Sequence, residues 1–227
     1  MKLKSFGCSF LYGSDLADDG HGNPLVGPSQ LTWPSLLAQD LNYKYECYAY
    51  PGAGNLRILE KILNQTTIAE SAFFVVGWTW IDRFDYTTIP TTECIATSDL
   101  IGNEIWKTVM PNDNDSRASN YYHDLHSQYR DKLTNLIYIK TAIDTLKQKN
   151  IPFVMTCMDN ILFETLWQYT DAVKWLQECI LPYITTFNGR TFLEFSKEKG
   201  FPISETLHPL ETAHQAAFEL IKSYNLV

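Results

Sequence analysis

The chain has 227 residues, of which 45% are hydrophobic and 19% charged, and its formal net charge is −8. This length and hydrophobic share suit one folded domain with a substantial core. The negative charge argues against a nucleic acid or an anionic membrane surface as the main partner. The five cysteines include no metal-ligand pair such as CxxC, so we expect neither a disulfide framework nor a metal site.

The N-terminal stretch MKLKSFGCSF carries two lysines but no apolar run long enough for the core of a signal peptide. No window of the sequence has the apolar length of a membrane span. We therefore expect a protein located in the cytoplasm, or carried on a larger particle such as a virion or phage.

The first half of the chain alternates between strand-like and helix-like segments. Apolar or aromatic runs predict strands at residues 2–6, 43–50 and 72–78, the last one buried on both faces. Helical spacing of apolar residues predicts helices at 31–41 and 55–65, between the strands.

Residues 83–120 break this alternation, because they are rich in Thr, Asp, Asn and Ser and show no sustained periodicity. A segment of this length is too long for a plain connection. We interpret it as a polar insertion that covers the active edge of the domain or takes part in a subunit contact.

The second half returns to alternating elements. Helices are predicted at 125–149, 163–179 and 212–224, and strands at 151–157 and in TFLEF, residues 191–195. Strands that alternate with helices predict a parallel sheet covered by helices on both faces. In such sheets, ligands bind outside the carboxyl ends of the strands.

The stretch FGCS places two nucleophile types, Cys8 and Ser9, directly after the first strand. A serine attacks an acyl carbon only if a base accepts its proton and donors stabilise the oxyanion. His208 is the candidate base, because it precedes a proline and should lie on a rigid turn before the last helix. Glu205 is the candidate acid that orients its ring. The candidate oxyanion donors are the N–H groups of Ser9 and Gly52 and the side chain of Thr79.

Four short blocks resemble the SGNH, or GDSL-like, hydrolases: FGCS, PGAGN, VVGWT and ETLHP. Their order and their positions at strand ends match the family. The resemblance implies an α/β fold, a three-layer α/β/α sandwich with a roughly five-stranded parallel sheet. It also implies hydrolysis of esters, often O-acetyl groups on carbohydrates, without a metal or cofactor. Carried over, Ser9 is the nucleophile, His208 the base and Glu205 the orienting acid, and Gly52 and Thr79 complete the oxyanion hole.

Three positions depart from the family pattern: Cys8 replaces an Asp, Thr79 an Asn and Glu205 an Asp. Losing one oxyanion donor typically costs about 100- to 1000-fold in rate. Thr79 alone could therefore make a slow enzyme. The alternative is a catalytically weak or inactive carbohydrate-binding protein or virion structural component with the same fold.

Several candidates also have purely structural interpretations. Ser9 could cap a helix, Cys8 could be a packed thiol or the nucleophile of a thiol hydrolase, and Glu205 could be a surface acid. His214, on the last helix, is better interpreted as a packed histidine than as a metal ligand.

Candidate substrate-binding residues surround the third block. Aromatic faces suit sugar rings, so Trp78 and Trp80 are either substrate contacts or core residues. Arg83 and Asp85 could pair with each other or contact substrate, and Asn55 is a further candidate. The expected partner is a small-molecule or glycan ester, with assembly into a homo-oligomer or a virion as a further expectation.

Overall fold

Strands and helices alternate along most of the chain, of which the computed structural model describes residues 1–19, 26–88, 106–165 and 170–224. The strands are β1 (Lys2–Phe6), β2 (Lys44–Cys47), β3 (Ala72–Trp78), β4 (Phe84–Thr87), β5 (Trp106–Val109) and β6 (Phe153–Cys157). The α-helices are α1 (Ser9–Tyr12), α2 (Trp33–Asp40), α3 (Asn55–Thr66), α4 (Ser116–Asn120), α5 (Gln128–Gln148), α6 (Asp171–Ile180), α7 (Phe192–Glu198) and α8 (Glu211–Ser223). Shorter helical turns cover Tyr121–Leu125, Asn160–Leu162 and Leu181–Tyr183.

The main sheet is parallel, and its strands within the described residues run in the order β2-β1-β3-β6. β3 lies in the interior of the sheet, where Lys2 of β1 pairs with Ala72 and Phe153 of β6 pairs with Phe74. Every residue of β3 is buried, as its continuous apolar sequence predicts for a strand covered on both faces.

Two hydrophobic cores lie on opposite faces of this sheet. Phe74, Val76 and Trp78 of β3 pack in one core with residues of α3, α5 and α6. Phe73 and Val75 face the other core, which contains residues of α1, α2, α7 and α8. Because side chains alternate along a strand, one apolar strand supplies both cores. The predicted α/β/α sandwich is therefore confirmed.

The predicted strand at residues 191–195 is wrong, since these residues begin helix α7. The Thr191 side chain accepts a hydrogen bond from the Glu194 N–H, and the Glu194 side chain accepts one from the Thr191 N–H. This reciprocal capping box starts a helix, and it outweighs the strand propensity of a threonine followed by two phenylalanines. Beyond β6, a parallel bridge joins Met155 to Ile184, so the sheet has four full strands where about five were expected.

The described part of the polar segment 83–120 lies apart from the main sheet. β4 and β5 form a separate antiparallel pair, with Asp85 opposite Thr108. The Asp85 carboxylate accepts hydrogen bonds from the N–H groups of Gly54 and Arg57, at 3.0 and 2.9 Å, and from the Thr108 hydroxyl at 2.6 Å. The Asp85 carboxylate therefore caps α3 and links the β4–β5 pair to this helix. The middle of the segment, 89–105, lies outside the described residues.

The helix predicted at 163–179 is described as α6 from Asp171 onwards, and residues 166–169 lie outside the described ranges. None of the helices described is long and apolar enough to cross a membrane.

His214 on α8 is a packed histidine, as the sequence analysis favoured. The residue is 1% exposed, and its Nδ1 accepts a hydrogen bond of 3.1 Å from the backbone N–H of Trp33, the first residue of α2. Burial lowers the pKa of His214 to about 3, and the charge of His208 adds to this effect. The neutral ring therefore joins α8 to the otherwise unpaired start of α2.

We expect His214 to make the free energy of unfolding fall as the pH drops from about 6.5 towards 3. In this window the unfolded chain binds a proton at His214 and the folded chain does not, which favours unfolding by about 2 kcal/mol between pH 6.5 and 5. Urea denaturation of wild type and His214→Gln at pH 7 and pH 5 measures this. His214→Gln should lose less stability over the interval; an equal loss in both proteins would contradict the assignment.

Candidate active site

The carboxyl ends of β1, β2 and β3 meet at one edge of the main sheet, because these neighbouring strands are parallel. The segments that follow these strands carry Ser9, Gly52 and Trp80. A cavity of about 700 Å³ opens at this edge. Its lining includes Ser9, Gly52, Trp80, Arg83, Asn112 and His208.

Ser9 is the first residue of α1, a single helical turn that follows β1 directly. A close approach between α1 and β3 holds this turn in place. A Cβ at Gly77 would lie 2.6 Å from Leu11 Cδ1, so glycine lets Leu11 pack over the end of β3 without a shift of its side chain. The N-cap of α1 is Cys8, and the Ser9 side chain does not cap the helix.

Cys8 is fully buried, and its Sγ lies 3.5 Å from the Met158 Sδ in the core. The thiol does not line the cavity, although the neighbouring Ser9 does. The structure therefore favours the packed-thiol interpretation of Cys8.

His208 reaches the same cavity from the turn before α8. The Ser204 N–H donates to the His208 carbonyl at 2.9 Å, and the His208 N–H donates to the Ser204 hydroxyl at 3.1 Å. Leu207 adopts a left-handed φ of 67°, an uncommon conformation for a residue with a side chain, and Pro209 follows. The predicted rigid turn is thus closed by hydrogen bonds on both sides of the histidine.

The carboxylate that contacts His208 is Asp15, not Glu205. His208 Nδ1 lies 2.7 Å from Asp15 Oδ2 and 2.8 Å from the Thr206 hydroxyl. Glu205 is exposed, and no hydrogen bond or ion pair joins it to His208. Asp15 was not predicted as the partner of His208, because 193 positions separate the two residues in the sequence. The available signal was an acid in the loop that follows the nucleophile block.

Ser9 and His208 line one cavity without a direct hydrogen bond between their side chains. Such contacts are often long before a substrate is bound. His208 Nδ1 faces Asp15, so Nε2 is the ring nitrogen left to act towards Ser9.

Two backbone N–H groups at the cavity are free to bind an anion. Ser9 is at the N-terminus of α1, and its N–H donates to no acceptor within the described residues. Gly52, with a φ of 78°, also donates to no described acceptor from its N–H. Both residues line the cavity.

Thr79 and Asn55 form a buried clamp beside the cavity. The Thr79 N–H donates to Asn55 Oδ1 at 2.8 Å, and Asn55 Nδ2 donates to the Thr79 carbonyl at 3.0 Å. Asn55 Nδ2 also donates to Asn135 Oδ1 at 2.6 Å. Both residues are buried and neither lines the cavity, which argues against substrate contact by Asn55 and against the predicted role of Thr79 as an oxyanion donor. The Thr79 hydroxyl is buried and has no hydrogen-bond partner in the described structure.

The two tryptophans around Thr79 have different surroundings. Trp78 is fully buried in the core, where its Nε1 lies 3.5 Å from Met155 Sδ, so it does not line the cavity. Trp80 is partly exposed in the cavity and packs edge-on against Phe10. Of the two, only Trp80 can contact a substrate in this arrangement.

Arg83 lies next to Trp80 in the cavity wall. Its guanidinium carbon is 5.0 Å from the centre of the Trp80 ring, and Nη1 donates to the Ala53 carbonyl at 2.9 Å. Asp85 points away to cap α3, and burial raises the pKa of its carboxyl group against the opposing effect of its hydrogen bonds. The proposed Arg83–Asp85 pair therefore does not form.

Two further histidines lie outside this cavity and pair with neighbouring carboxylates, His123 with Asp124 and His126 with Asp131. In the described part of the chain, no group of three or more potential ligands is arranged to hold a metal ion.

No protein-family model matches the chain, and no curated protein matches it either. Solved structures do match. A member of the lipolytic G-D-S-L family from Veillonella parvula is 13% identical, covers 98% of this chain and 97% of its own, and has a TM-score of 0.52. The esterase EstA from Pseudoalteromonas is 9% identical, with coverages of 99% and 98% and a TM-score of 0.51.

A carbohydrate esterase family 2 enzyme with a carbohydrate binding domain, from Corynascus thermopiles (Myceliophthora fergusii), is 12% identical, and its TM-score is 0.52. The match covers 98% of this chain and 64% of that protein. At identities this low, the structural matches establish a shared architecture. Together with the parallel sheet between two helical layers, they show that the chain has the fold of the SGNH, or GDSL-like, hydrolases.

Proposed function

We propose that the protein is a serine ester hydrolase in which Ser9 is the nucleophile and His208 the general base. One observation carries this proposal: Ser9 and His208, from opposite ends of the chain, line one cavity together with Gly52. The unpaired N–H groups of Ser9 and Gly52 lie at the same cavity. A nucleophile, a base and oxyanion donors are the parts that acyl transfer requires.

The chemistry proceeds in two halves. His208 Nε2 takes the proton of the Ser9 hydroxyl as Oγ bonds to the acyl carbon, and the carbonyl oxygen becomes an oxyanion. The N–H groups of Ser9 and Gly52 bind that oxyanion. Nε2 then gives the proton to the leaving alcohol oxygen as the ester C–O bond breaks. A water molecule, deprotonated by Nε2, attacks the acyl-enzyme, and Ser9 regains its proton when the acid leaves.

The proposed substrate is an acylated saccharide, most simply an O-acetyl sugar. The partly exposed Trp80 offers an apolar face in the cavity, and Arg83 and Asn112 add hydrogen-bond donors beside it. One similar structure is a carbohydrate esterase, which supports this substrate class.

A non-catalytic carbohydrate-binding protein is the second candidate. Thr79 favours it, because this residue replaces an amide donor of the family pattern and its hydroxyl is buried away from the cavity. The two candidates differ in turnover, since only the hydrolase needs Ser9 as a nucleophile.

Replacement of Ser9 by alanine should lower kcat for p-nitrophenyl acetate by at least about 1000-fold, because no nucleophile remains. Cys8→Ala is the matched control and should keep most activity, since the thiol packs in the core. The thiol interpretation would be correct if Cys8→Ala abolished turnover and Ser9→Ala spared it. Glycan binding by a wild type that hydrolyses no acyl ester would establish the binding protein.

Trp80→Ala should raise KM for an acetylated oligosaccharide by about 10-fold, because the sugar loses an aromatic contact. The KM for p-nitrophenyl acetate, which has no sugar ring, should change much less. Initial rates over a range of both substrates provide the comparison. Equal effects on the two substrates would mean that Trp80 only supports the packing of Phe10.

Thr79→Val should leave kcat within about threefold of wild type and should not lower Tm, because it removes a buried hydroxyl that has no partner. Both values come from the same preparations, by ester hydrolysis and thermal denaturation. A fall of 10-fold or more in kcat at unchanged KM would instead make the Thr79 hydroxyl an oxyanion donor.

A further inference from the structure

We propose that Asp15 is the positioning residue for His208, in place of the glutamate that the family pattern indicates. This inference rests on the proposed hydrolysis by Ser9 and His208. In this proposal the orienting carboxylate lies in the loop after α1 and not in the turn before α8. The nucleophile Ser9 and the acid Asp15 would then come from the same short stretch of sequence.

The contact itself has the geometry of an orienting pair. Asp15 Oδ2 lies 2.7 Å from His208 Nδ1, and the His208 side chain is only 16% exposed. A carboxylate accepts the Nδ1 proton and so selects the tautomer in which Nε2 has a free lone pair. Nε2 is the atom that must take the Ser9 proton.

Two hydroxyl groups hold the carboxylate in place. Ser204 donates to Asp15 Oδ2 at 2.6 Å, and Thr206 donates to the same oxygen. Burial opposes ionisation of Asp15, but the hydrogen bonds from Ser204, Thr206 and His208 outweigh it and lower the pKa to about 2. The carboxylate therefore stays ionised at every pH at which a histidine base is neutral.

The backbone around Asp15 is also fixed. Asp15 has a left-handed φ of 70°, and its N–H donates to Asp19 Oδ2 at 2.9 Å. Gly13, at φ 87°, ends α1 where a Cβ would lie 2.4 Å from the Ser29 Cβ. This tight turn directs the chain from the nucleophile back towards the His208 turn.

Glu205 lacks these features. Its side chain is exposed and makes no hydrogen bond or ion pair with a described residue. The residues on either side of Glu205, Ser204 and Thr206, contact Asp15 through their side chains. A substitution of the exposed Glu205 should therefore leave the position of His208 unchanged.

The test compares Asp15→Asn, Asp15→Glu and Glu205→Gln. Asp15→Asn should lower kcat for p-nitrophenyl acetate by about 1000- to 10,000-fold with little change in KM, because the ring loses its preferred tautomer. Asp15→Glu should recover part of that loss. Glu205→Gln should stay within about threefold of wild type. A larger loss in Glu205→Gln than in Asp15→Asn overturns the proposal, whether or not Asp15→Asn folds well.

A second readout does not depend on turnover. Nitrogen-15 NMR of His208 should show the Nδ1–H tautomer in the wild type and a smaller share of it in Asp15→Asn, with Glu205→Gln unchanged. The same tautomer in wild type and Asp15→Asn overturns the proposal. If the wild type hydrolyses no ester, the proposed function fails, and a tautomer shift confined to Asp15→Asn still supports Asp15 as the partner that positions His208.

Discussion

The burial of β3 on both faces is the constraint on which the rest of the structure depends. Apart from Gly77, its residues send side chains alternately into two cores, and its neighbours β1 and β6 pair with it in parallel. Parallel pairing brings the carboxyl ends of the strands to one edge. The segments that carry Ser9 and Gly52 therefore meet there, although they are distant in sequence.

Buried polar contacts then set the shape of that edge. Asn55 bonds both backbone groups of Thr79 and so holds the end of β3 against the start of α3. Asp85 caps the same helix from β4, where a Cβ at Gly54 would collide with its carboxylate at 2.6 Å. These contacts explain why some polar residues near the site are structural: they satisfy buried backbone groups. Partly exposed neighbours such as Trp80 remain available to ligands.

Two of the three departures from the family pattern have physical explanations in this chain. Cys8 replaces an acid at a position that is fully buried against Met158, where a thiol packs at little cost. The carboxylate near His208 comes from Asp15, in a loop that the short turn and Gly13 direct towards it. The contact of His208 with a carboxylate thus depends on which segments meet in space and not on their spacing in the sequence.

The sequence by itself determined the elements whose signals are local. Apolar runs predicted β1, β2, β3 and β6, and helical spacing predicted α2, α3, α5 and α8. These predictions succeeded because the hydrophobic periodicity of a strand or a helix appears within a short window of sequence. Motif order likewise predicted Ser9, Gly52 and His208 at one edge. Only the tertiary structure decided that Asp15 contacts His208, that Trp78 is core while Trp80 lines the cavity, and that Thr191 starts a helix. The Asp15–His208 contact and the different surroundings of Trp78 and Trp80 depend on which distant segments pack together, and local periodicity does not indicate this. The helix start at Thr191 depends on a side-chain cap, which outweighed the strand propensity of the residues that follow.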